Sequence, residues 1–189
     1  MKKKKGFLIM GFMITYSLLI IHCLALGQIY SAKLASVNFF SSSPLENVDA
    51  TNKSVQSILN TSAKTVAFIV PIRGFKFKDD LMEEHFNEKY LESDKYPNAT
   101  YSGRINEDVD LSKDGTYQVT STGKLTMHGV EQHVTQKGTA IVKNGEISVQ
   151  SKFPIAIKDF NITIPKLLFQ NIADTVAVTV NIVYQNFKK

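Results

Sequence analysis

Apolar and polar residues alternate with a period of two along much of the chain. From Thr116 to His128, Tyr117, Val119, Ser121, Gly123, Leu125 and Met127 share one face; Thr116, Gln118, Thr120, Thr122, Lys124, Thr126 and His128 share the other. Successive side chains of a strand point to opposite faces, so this is a long strand with one dry side. Ile147, Val149, Ser151, Phe153, Ile155 and Ile157 repeat the pattern, and Val176, Val178, Val180, Ile182 and Tyr184 do so near the C-terminus. A fourth set is Val66, Phe68, Val70 and Ile72, followed by Phe75 and Phe77 after an expected bulge at Gly74. The Asn144-Gly145 pair between two alternating runs predicts a hairpin, and Lys113-Asp114-Gly115-Thr116 a second turn. One segment has helical spacing, from Asp79 or Asp80 to about Tyr90. Met82, Phe86 and Tyr90 recur every four residues, and the acidic start suits a helix N-terminus.

This pattern predicts a mainly β chain, with about eight long antiparallel strands and one short helix. Strands with one dry face must bury it, and a sheet closed on itself does so without leaving edges. An eight-stranded barrel has an interior that either packs solid or holds one small ligand. The alternation does not choose between the two.

The N-terminus breaks the pattern. Lys2 to Lys5 precede Gly6 and an apolar run from Phe7 to Leu26, and Ala25-Leu26-Gly27 places small residues at −3 and −1 of a cleavage before Gln28. That order reads as a secretory signal over residues 1–27, leaving residues 28–189 as a single domain. An uncleaved membrane anchor is the alternative, since the apolar run is long enough to span a bilayer. A lipoprotein reading of Cys23 is weaker, because His22 stands where a small residue is required. Cleavage removes Cys23, the one cysteine, and with it thiolate, disulfide and cysteine–metal chemistry.

Charge changes the picture little. The 189-residue chain carries a net +5, but without Lys2 to Lys5 its 18 basic residues face 17 acidic ones. A nearly neutral body argues against a nucleic-acid partner. Composition, 43% hydrophobic, excludes a disordered chain.

Catalytic constellations are missing from the sequence. His128 and His133 flank a hairpin loop and, with Glu131, could approach a metal. No third histidine or cysteine has suitable spacing, so a solvated hairpin is the reading and no metal site is assigned. Glu83-Glu84-His85 lacks the His-Glu-x-x-His spacing of a zinc helix, and Asp79-Asp80 and Glu107-Asp108 sit in polar surroundings. No nucleotide or nucleophile-elbow motif occurs. Asn-x-Ser/Thr sequons at Asn52, Asn60, Asn98 and Asn161 are of a kind common by chance. The expectation is a protein that is not an enzyme and needs no cofactor.

Four stretches carry a family resemblance. Gly123-Lys124-Leu125-Thr126-Met127-His128-Gly129-Val130 is similar to the Gly-x-Leu-Thr-Ile-x-Gly-Val block of the YceI-like family, and Lys95 to Tyr101 to its Tyr-Pro-x-Ala/Ile-x-Phe stretch. Leu81 to Asn87 sits where that family has its helical crossover. Asp159-Phe160-Asn161-Ile162 resembles its Asp-Phe/Tyr-Gly-Ile segment, with Asn161 in place of the glycine. The resemblance covers roughly residues 32–185. It implies a lipocalin-like barrel, exported to the periplasm or secreted, that encloses an isoprenoid-type lipid such as a quinone or polyprenyl chain, with transient membrane contact at most. The family's early tryptophan is absent here, which leaves the ligand's length open.

Under that reading the ligand contacts come from the dry faces: Phe39, Phe68, Val70, Phe75, Phe77, Phe86, Tyr101, Leu125, Met127, Phe153 and Ile182. Phe86 is expected to act as a lid. Arg73 and His85 are the candidates for a head group at the rim. The alternative is a filled barrel that serves as an envelope interaction or structural protein.

Overall fold

The computed structural model describes residues 29–42, 47–163 and 173–187. The segment 1–27, read above as an export signal, lies outside the described residues. Ten antiparallel strands are present among them: β1 (Ile29–Ser41), β2 (Val48–Asn52), β3 (Gln56–Asn60), β4 (Thr65–Pro71), β5 (Phe75–Lys76), β6 (Asn98–Ile105), β7 (Gly115–Met127), β8 (Val130–Lys143), β9 (Glu146–Ala156) and β10 (Thr175–Asn186). They run in the order β10-β9-β8-β7-β6-β4-β3-β1-β2-β5, and β10 returns to pair with β1.

Eight of these strands form the expected closed ring. The closing seam runs from Tyr30 opposite Asn186 to Phe40 opposite Ala177. The remaining two are short extensions. The first residues of β1 pair with β3, its last residues pair with β2, and β5 adds two residues beyond β2.

The bulge expected at Gly74 is instead a single 3-10 turn, Ile72–Gly74, separating β4 from β5. Asn52 explains the break. Its side chain is fully buried and its Nδ2 donates to the carbonyl of Pro71 at 2.7 Å. A Cβ on Gly74 would lie 2.7 Å from the same amide. Asn52 is thus a structural clip, and its sequon is inaccessible in this fold.

The helix forms where its spacing placed it. α1 (Asp80–His85) begins with Asp79, whose carboxylate accepts from the Met82 amide at 2.8 Å, and it continues as a π-helical turn over Phe86–Tyr90. Lys76 at the end of β5 donates to Glu83 at 2.5 Å and ties the helix to the barrel. That bond, chiefly, holds the Glu83 carboxyl below its ordinary range.

Three apolar clusters occupy the interior around the cavity described below. One, around Tyr30, Leu59, Ile147, Ile182 and Tyr184, plugs the end away from the helix. A second gathers Ile72, Tyr90, Leu91 and Phe160 beneath the helical segment. The third, around Val37, Ala50 and Phe75, collects most of the phenylalanines.

Candidate functional site

Alternation puts the dry faces inward, and the residues there differ in size. Bulky rings stand near the helix, whereas the inward positions midway along β7, β8 and β9 are Ser121, Gly138 and Ser151. An eight-stranded barrel is filled only if its inward side chains are large enough. Here they are not, and a cavity of about 280 Å³ runs through the barrel, with almost entirely apolar walls.

Ten of the eleven expected contact residues line this cavity. Phe68 and Val70 face it from β4, Leu125 and Met127 from β7, Phe153 from β9 and Tyr101 from β6. Phe39, Phe75, Phe77 and Phe86 form one aromatic group beside it. Phe86 stacks on Phe39 with centroids 5.4 Å apart and meets Phe75 at 5.5 Å and Phe77 at 5.0 Å. Phe86 thus carries the helical segment against strand residues at this end of the cavity. Ile182 does not line it. It points inward but is packed against its neighbours in the cluster around Tyr30, Leu59 and Tyr184. Alternation assigned its face correctly and could not tell a packed inward position from a cavity-lining one.

The rim candidates are placed elsewhere. Arg73 is exposed and its guanidinium donates to Asp94 at 2.6 Å on the outer surface. His85, in the last turn of α1, is not part of the cavity wall. Neither residue meets the cavity, so the structure does not bring a charged head-group site together there.

His128 corrects a second expectation. It does not wave in solvent on a polar face. Its Nε2 meets Glu92 at 2.8 Å, its Nδ1 meets the Phe160 carbonyl at 3.0 Å, and its ring packs edge-on against Tyr96. His128 and Gly129 form the two-residue turn between β7 and β8, both with positive φ, 51° and 75°. A side chain at Gly129 would also strike the Tyr96 ring, 2.6 Å away. His133 lies opposite Lys124 on the strand pair, and among the described residues no group of three or more metal-ligating side chains exists.

Two tyrosines bring hydroxyls into the apolar interior. Tyr184 Oη lies 2.6 Å from Ser57 Oγ. Ser57 donates its one proton to the Ala67 carbonyl at 2.9 Å, so Tyr184 is the donor of the shared bond. Burial pushes the Tyr184 phenol up to about 12. Burial also raises Tyr101, whose hydroxyl pairs with Ser121 Oγ at 2.6 Å. A phenol with a raised folded-state pKa stabilises the fold fully below its unfolded value of about 10, and that contribution is lost as pH rises to the folded value. Stability is therefore expected to fall by about 3 kcal/mol between pH 10 and 12 through Tyr184. Denaturant melts of Tyr184→Phe across this range test the point, because the variant should lose much of the alkaline slope. An unchanged slope would refute it.

The family signal agrees with this architecture. The YceI-like domain matches residues 31–184. The chain belongs to the YceI-like family. Solved structures share the fold at low sequence identity. A polyisoprenoid binding domain from Saccharophagus degradans, implicated in plant cell wall breakdown, is 18% identical with a TM-score of 0.72, covering 84% of this chain and 98% of that one. Burkholderia cenocepacia BcnA is 21% identical with a TM-score of 0.65, covering 79% and 95%. A Campylobacter jejuni YceI protein is 17% identical with a TM-score of 0.60, covering 77% and 88%. No curated protein sequence matches the chain significantly. The departure from the YceI-like pattern at Asn161 is explained by its backbone. Asn161 sits in the left-handed region at φ 55°, ψ 25°, which asparagine tolerates better than most residues.

Proposed function

We propose that this YceI-like protein is an exported, non-enzymatic binding module that carries one polyisoprenoid-type lipid inside its barrel. The observation that carries the reading is the long apolar cavity, walled by phenylalanines and branched aliphatics and plugged at one end. The polyisoprenoid binding domain of the same fold supports the choice of lipid class, and the signal-like order of residues 1–27 supports export. Such a tail needs no reactive residue. Each 100 Å² of it removed from water contributes about 2.5 kcal/mol, and the aromatic walls match its bulk.

Native mass spectrometry of residues 28–189, exported in a bacterial host and purified without detergent, tests the proposal. The expected result is a co-purifying adduct of one lipid per chain with an isoprenoid tail. A clean mass that remains clean after incubation with quinones and polyprenyl phosphates would overturn it and favour a protein that acts through its outer surface.

Phe86 supplies a finer test. Phe86→Ala removes the ring that joins the helical segment to Phe39, Phe75 and Phe77. Lipid is expected to leave at least about tenfold faster, while stability falls by about 1–3 kcal/mol, less than for a fully buried phenylalanine. Lipid off-rates from vesicle-transfer assays and denaturant melts measure the two effects. A stability loss near 5 kcal/mol with unchanged retention would make Phe86 simple core.

A further inference from the structure

One stretch of the cavity wall is polar. Ser121 of β7 lies directly opposite Gln136 of β8 in the strand register. Both line the cavity. Tyr101 reaches the same place from β6 through its 2.6 Å bond to Ser121. The two hydroxyls hold two protons and spend one on each other, which leaves one to donate elsewhere. The Gln136 amide has two N–H donors and a carbonyl, and has no partner among the described side chains or backbone groups. Beyond Gly138 opposite Ser151, β8 and β9 no longer pair, so Gln136 stands where the wall has parted.

The amide is half-buried beside this gap, so water can bond to it, and a ligand that displaces that water must offer a hydrogen bond in return. The charge inventory limits what that can be. Among the described residues, Lys137 is the one ionisable chain of Lys, Arg, His, Asp or Glu type along the cavity, and it is exposed on the outward alternation. None of the described side chains facing the cavity would neutralise a phosphate or carboxylate.

We infer that Gln136, Ser121 and Tyr101 form a subsite on the cavity wall for a neutral, carbonyl- or hydroxyl-bearing head group, with the apolar tail running toward the phenylalanines. This rests on the carrier reading and reverses the orientation expected from Arg73 and His85, with the head inside and the tail near the helix. The amide N–H and the spare hydroxyl proton donate to a ligand carbonyl, and the amide oxygen accepts from a ligand hydroxyl.

The experiment compares three probes on delipidated protein: squalene, a prenylated benzoquinone of similar chain length, and the corresponding prenyl phosphate. Affinities are read by native mass spectrometry and by quenching of tyrosine fluorescence. The quinone is expected to bind wild type about tenfold more tightly than squalene, one net hydrogen bond's worth, and Gln136→Leu should reduce that ratio to about one. Ser121→Ala, a smaller change on a different strand, serves as the second variant and should lower the ratio too. Equal binding of quinone and squalene to wild type, or a ratio unchanged in both variants, overturns the subsite and leaves the carrier reading standing. Tighter binding of the phosphate than of the quinone overturns the neutral head group. Failure of all three probes to bind overturns the carrier reading itself, and this inference with it.

Discussion

Introducing Leu125→Phe together with Val180→Phe is expected to abolish lipid occupancy while the barrel stays folded. Leu125 on β7 and Val180 on β10 both face the cavity, from walls three strands apart. Enlarging a side chain in a packed core costs about 1–3 kcal/mol through strain. Here each new ring enters existing space and gains apolar contact, so much of that cost is offset. A melting temperature within a few degrees of wild type is expected, with lipid stoichiometry reduced at least about tenfold. Lipid extraction from the purified variant checks the second point, and thermal melts check the first. Wild-type stoichiometry in a folded double variant would mean that the lipid does not sit in the cavity.

Gly123→Val is expected to do the reverse and damage the fold itself. Gly123 pairs with Gly103 across β6 and β7. A Cβ at position 123 would lie 2.3 Å from the Ser102 carbonyl oxygen and 2.4 Å from the Gly103 Cα. Both atoms belong to the neighbouring backbone and cannot swing aside, so the strands must separate. The loss should be about 3 kcal/mol or more, a fall in melting temperature of about 10 °C. Gly145→Ala is the control. Its added Cβ meets nothing within 4 Å, although φ is 79°, and the cost should stay near 1 kcal/mol. Similar melting of Gly123→Val and wild type would contradict the close approach of β6 and β7.

The two substitutions separate the site from its scaffold, and they show how differently the sequence exposed each. The scaffold is written in alternation. Val66, Phe68 and Val70, or Val176, Val178 and Val180, turn inward because every second residue of a strand must, and the cavity wall contains all six. The helix was legible for the same local reason, through its spacing and the Asp79 cap. β8 was harder to read. Its inward positions include Gln136 and Gly138, which hide the hydrophobic period although the strand runs for 14 residues. His128 was misread because its partners, Glu92 and Phe160, lie more than thirty residues away on either side.

By itself, then, the sequence determined four of the strand runs and which of their side chains point inward, one helix, and a closed barrel resembling the YceI-like family. Those properties follow from backbone geometry over a few neighbouring residues and from motif spacing. The tertiary structure alone decided whether each inward residue meets a neighbour or a space. Ile182 and Val180 share one strand and one face, yet the first packs into the plug and the second lines the cavity. That outcome depends on how strands are staggered around the closed ring, and so on contacts such as Ser57 with Tyr184, 127 residues apart. Such contacts leave no periodic trace along the chain, because neither partner's local preference depends on the other.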